Sequence, residues 1–98
     1  MSVALRQGYP TRKDGVWLRQ TGEENVVYDP EHETVHLMNA TAMAIWVLCD
    51  GETRPEEMID AICQLTGLPQ EIVLEDVRRI LARFTEADIL TWRERPGG

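Results

Sequence analysis

A chain of 98 residues with 43% hydrophobic content can bury one modest core but leaves little room for a catalytic cleft as well. Its net charge of −7 argues against a nucleic-acid partner, since such binding draws its affinity from neutralising phosphates. A basic or amphipathic peptide fits that charge better.

No apolar run approaches the length of a membrane span. The opening MSVALRQGYPTRK lacks a hydrophobic signal core, so a cytoplasmic protein is expected. Residues 1–15 show no period and read as a flexible arm, residues 16–92 as one domain, and 93–98 as a frayed tail. The charge is unevenly spread: Arg54 is the only Lys or Arg between Glu23 and Asp60.

Val16–Gln20 alternates like a strand, and Thr21–Glu24 turns the chain into a second strand, Asn25–Asp29. Asp29-Pro30-Glu31-His32-Glu33 is the next turn, because proline fixes φ and has no ladder donor. Thr34–Met38 follows as the third strand, with Val35 and Leu37 on one face and His36 and Met38 on the other. The expected sheet is a three-stranded antiparallel meander.

Three helices are expected after it. Asn39 is a suitable N-cap for Ala40–Cys49, whose apolar residues recur at helical spacing up to Gly51. Thr53-Arg54-Pro55-Glu56 reads as a capping box, opening a helix that turns Met58, Ile59, Ile62, Cys63 and Leu65 inward and stops at Gly67. The third and longest helix runs from Pro69 to about Ala87, with Val73, Val77, Ile80, Leu81 and Phe84 as its buried stripe. Ile89–Trp92 adds a short extended segment.

Catalytic groups are hard to find. His32 and His36, with Asp29, Glu31 and Glu33 nearby, suggest a metal, but a turn interrupts the set and no further ligand stands at a diagnostic spacing. No metal site and no cofactor are expected. Cys49 and Cys63 sit in apolar helical segments and read as buried free thiols. The sheet followed by helix-turn-helix also outlines a winged helix. A DNA-reading third helix would, however, carry Glu71, Glu75, Asp76 and Glu86 beside Arg78, Arg79 and Arg83.

Peptide binding is the sharper reading. If Thr34, Val35, His36, Leu37 and Met38 form a sheet edge, their unpaired N–H and C=O groups can accept an extended peptide as an added strand. Leu74, Val77, Arg78 and Leu81 are then expected to form the facing wall, giving apolar pockets and a cation for an acidic peptide residue.

The stretches VVYDPEHETVHLMN, NATAMAIWVLCDG and ETRPEEMIDAI, followed by EDVRRIL and DIL, resemble in that order the PqqD family, also described as RiPP recognition elements. Met38 stands where that family usually has leucine, and Asp88 where it often has glycine. The resemblance implies an α+β, winged-helix-like fold of three strands and three helices without enzymatic activity. It implies binding of the leader of a ribosomally made precursor peptide, in pyrroloquinoline quinone synthesis or another peptide pathway. The implied second partner is a radical SAM or other modifying enzyme, and the protein is expected as a monomer or a strand-exchanged dimer. The alternatives are an interaction subunit that binds no leader and, behind it, a winged-helix DNA-binding regulator.

Overall fold

The computed structural model describes residues 6–97. In chain order the elements are β1 (Tyr9–Arg12), β2 (Trp17–Thr21), β3 (Glu24–Asp29), β4 (Thr34–Met38), α1 (Ala40–Leu48), α2 (Pro55–Thr66), α3 (Gln70–Glu86) and β5 (Leu90–Arg93). Strands β2, β3 and β4 make an antiparallel meander in that order, so β4 is an edge. Three helices follow, as the sequence leads one to expect.

The helices end where local chemistry ends them. Asn39 Oδ1 accepts the Ala42 N–H at 2.8 Å and caps α1. The capping box of α2 lies one residue later than its sequence suggests. Arg54 is the N-cap and its N–H donates to Glu57 at 3.0 Å, while Thr53 donates instead to Asp50. Gly67 is left-handed, φ 73°, and closes α2.

The core lies between the sheet and the helices. All five residues of the expected α3 stripe are buried, together with Val27, Ile45, Trp46, Met58 and Ile62. Each such side chain contributes roughly 1.5–3 kcal/mol relative to exposure. Trp46 and Phe84 meet edge to face at 5.4 Å and lock α1 to α3. Leu65 departs from expectation and points outward, 78% exposed.

The N-terminal segment also differs from its sequence reading. Residues 1–5 of the expected arm lie outside the described residues, but Tyr9–Arg12 is a strand paired with β5. Pro10 hides the strand in the sequence. Its missing N–H costs nothing to that ladder, because its carbonyl, and so its other backbone position, faces Gly51 N–H at 3.0 Å. Arg12 fastens the segment further, donating to the carbonyls of Trp46 (3.1 Å) and Val47 (2.7 Å) at the end of α1. The tail returns to the same place, where Gly97 N–H donates to Gly51 O at 2.9 Å.

Gly51 therefore sits in a crowded left-handed turn, φ 80°. A Cβ there would stand 2.6 Å from Gly97 O and 2.9 Å from Thr11 Oγ1. Gly51→Ala should destabilise the protein by about 1–2 kcal/mol, read as a lower urea midpoint at unchanged slope. An unchanged midpoint would mean that β1 and the tail are not docked on this turn.

Candidate functional site

The backbone pattern decides which groups the free edge of β4 presents. Thr21 and Glu24 close a two-residue hairpin with Gly22 at φ 59°, so Glu24, Val26 and Tyr28 exchange hydrogen bonds with β2. Asn25, Val27 and Asp29 must then bond β4, through Met38, His36 and Thr34. The N–H and C=O groups of Val35 and Leu37 are left pointing away from the sheet. Their side chains lie on its outer face, each 61% exposed, while Met38 is buried and His36 is half-buried.

The β3–β4 turn is pinned by Asp29, whose side chain is only 2% exposed. Its carboxylate accepts the Glu31 N–H at 3.0 Å, the His32 N–H at 3.4 Å and His32 Nδ1 at 2.6 Å. His32 Nε2 in turn lies 3.5 Å from Asp88, which also pairs with Lys13 at 2.7 Å. Asp88 holds φ 60°, an uncommon conformation for a residue other than glycine, just past the end of α3. This chain of charges ties the turn before β4 to the C-terminal end of α3.

The arrangement carries a pH dependence. Burial favours protonated Asp29, but the hydrogen bonds from His32 and the backbone outweigh it and hold the carboxyl below its ordinary 3.8. The Asp29 hydrogen bond and charge raise His32 above 6.5. Asp29 therefore stabilises the fold above 3.8 and loses that effect as pH falls through its folded value; His32 stabilises it below 6.5 and loses that effect as pH rises through its folded value. Urea midpoints should thus be highest between 3.8 and 6.5 and decline on both sides. His32→Gln should flatten the alkaline decline. A decline that survives in His32→Gln would assign it to another group.

The three groups Asp29, Glu31 and His32 hold their ligand atoms within 4.8 Å of one another, but Asp29 and His32 are already engaged with each other. His36 stands apart on β4, with its Nε2 3.1 Å from Thr34 Oγ1.

The C-terminal end of α3 approaches the β3–β4 turn and β4. Asp88 reaches His32 before the strand, and Arg83 lies close enough to act on His36 within it. Burial first, and the Arg83 charge second, hold His36 below its ordinary value. Arg83 shares one flank of α3 with Ile72, Asp76 and Arg79, which recur at helical spacing. Ile72 is half exposed and Arg79 pairs with Asp76 at 3.1 Å; Arg83 has no carboxylate within ion-pair distance among the described residues.

The four residues expected to form the wall fall in two places on α3. Val77 and Leu81 are largely buried in the core, with Leu81 reaching the surface beside Trp92. Leu74 and Arg78 lie on the opposite flank of α3, where Thr85 accepts from Trp92 Nε1 at 3.0 Å. There Arg78, Leu81 and Trp92, with Arg6 stacked 4.5 Å over the Trp92 ring, line a separate hollow. Arg78 pairs with Glu75. The buried stripe of α3 was visible as a period in the sequence, but nothing there distinguishes one flank of an amphipathic helix from the other.

Comparison with known proteins agrees with this architecture. Residues 24–90 match the family described as Coenzyme PQQ synthesis protein D (PqqD). A solved structure titled "TbiB1 in Complex with the TbiA(beta) Leader Peptide" superposes with a TM-score of 0.72 at 28% identity, covering 82% of this chain and 93% of that one. No curated protein matches the chain.

Proposed function

The chain belongs to the PqqD family, and we propose that it binds the leader of a ribosomally made precursor peptide and presents the remainder to a modifying enzyme. The carrying observation is the open edge of β4, near which Arg83 acts on His36 and has no carboxylate within ion-pair distance among the described residues. The leader adds as a fourth strand through the Val35 and Leu37 backbone groups, which supply affinity with little sequence preference. Preference comes from Ile72, for an apolar side chain, and Arg83, for a carboxylate. The structural relative in complex with a leader peptide supports a leader as the ligand.

The protein acts by holding rather than by chemistry. Cys49, the nucleophile its sequence offers, has its thiol pushed up to about 12 by burial and stays protonated at neutral pH. The α3 arginines that a DNA reader would need are partly committed, Arg78 to Glu75 and Arg79 to Asp76. The enzyme served is a radical SAM or other peptide-modifying enzyme, and the setting is the cytoplasm. Among the described residues no helix is long and apolar enough to cross a membrane.

The test is an NMR titration of labelled protein with the leader of the precursor peptide encoded nearest its gene. Saturable shifts in β4 and along Ile72–Arg83, with slowed exchange of the Val35 and Leu37 amides, are expected. Shifts confined to the Arg6–Trp92 hollow would place the peptide on the wrong side of α3 for this reading.

A further inference from the structure

Strand β4 reverses the usual alternation of a sheet with one covered face. Such strands normally put apolar side chains inward and polar ones outward. On β4 the inner side holds Thr34, His36 and Met38, of which only Met38 is buried, while Val35 and Leu37 face outward and are exposed. An open edge is normally blunted with charge or proline, and β4 has no Lys, Arg, Asp, Glu or Pro. The outward pair is not isolated. Register places Trp17, Tyr28 and Val35 in one row across the outer face, and Arg19, Val26 and Leu37 in the next. The exposed Trp17 meets Tyr28 edge to face at 5.9 Å. Both rows end, uncovered, at the open edge.

The parity that turns the Val35 and Leu37 backbone groups to the edge also fixes what covers their side chains. A strand added there places the residues opposite Val35 and Leu37 on the same outer face, two apart in its own sequence. The residue between them falls on the inner side with His36, whichever way the strand runs. We infer that the leader is selected on the outer face as well, by two apolar side chains in an i, i+2 pair that extend the Val35 and Leu37 rows. This rests on the leader adding as a strand at β4, the reading proposed above. An aromatic or β-branched residue suits each position, since such pairs contribute most across strands. The charges of this face, Arg19 and Glu24, stand on β2 and at the start of β3, so an ionic side chain at the edge would lie against Val35 or Leu37 with no counterion beside it.

The test is isothermal titration of the leader of the precursor peptide encoded nearest the gene, scanned with alanine, into the full-length protein and its Val35→Thr and Leu37→Thr variants. Both positions are exposed, and threonine keeps the backbone donors and the strand preference. Each variant should weaken the intact leader about threefold, and the two together about tenfold. Two leader positions, two apart, should account for the loss. Alanine at one should cost nothing further in Val35→Thr, alanine at the other nothing further in Leu37→Thr, and alanine between them should be additive with both. Isotope-filtered NOEs from those two leader side chains to the Val35 and Leu37 methyl groups should accompany the effect. Slowed exchange of the Val35 and Leu37 amides with unchanged affinity of the threonine variants would leave strand addition standing and overturn the outer-face preference. Polar residues at the two coupled positions would overturn it equally. No leader shift in β4 would overturn both readings, and a dimer in sedimentation that the double threonine variant abolishes would make a second copy the occupant of this face.

Discussion

Val35→Pro combined with Leu37→Pro should leave the protein folded and weaken leader binding by roughly a hundredfold, at about 1–1.5 kcal/mol for each lost backbone hydrogen bond. The residue parity of the sheet makes this selective. Val35 and Leu37 turn their N–H groups to the open edge, so proline removes donors that bond nothing else in the free protein. His36→Pro is the opposite case. Its N–H serves the ladder to Val27, and its loss should lower the urea midpoint clearly. Val35→Ala with Leu37→Ala keeps both donors and removes only exposed side chains, which isolates the backbone contribution. Isothermal titration with the leader reads all of these. If the double proline variant binds the leader normally while remaining folded, strand addition at this edge is wrong.

What the sequence displayed was whatever rests on local chemistry. The Asp29–Pro30 turn, the Asn39 cap, the Gly67 stop and the α3 stripe each follow from a residue acting on its neighbours. Strand β1 escaped because its pairing partners, β5 and the Asp50 turn, lie far along the chain, and because Pro10 reads locally as a break. Leu65 was misplaced inward for a similar reason, since an apolar residue on an amphipathic helix announces core whether or not the fold covers it. Which flank of α3 lies toward the β3–β4 turn required knowing where the sheet comes to rest. That is set by the Trp46–Phe84 contact and the Asp29–His32–Asp88 chain, both of them tertiary. Arg78 and Arg83 look alike in sequence and end on different flanks.

Arg83→Gln tests that placement without any peptide. Arg83 is the charge that, after burial, lowers His36, so its removal should raise the His36 pKa in an NMR titration of the free protein. Arg78→Gln, on the other flank and paired with Glu75, should leave His36 unmoved. The same pair of variants then carries the functional question. Arg83→Gln should weaken the leader by about tenfold or more, the order expected for a charge-assisted contact, and Arg78→Gln should not. Arg83→Lys keeps the charge and should recover most of the His36 shift but only part of the affinity, since an ammonium lacks the planar fork that grips a carboxylate. Alanine scanning of the acidic residues of the leader against Arg83→Gln identifies its partner, because the matching pair loses no further affinity once either member is gone. A raised His36 in Arg78→Gln, with Arg83→Gln silent in both readings, would put the cleft on the Trp92 side of α3 and return the wall to Leu74 and Arg78.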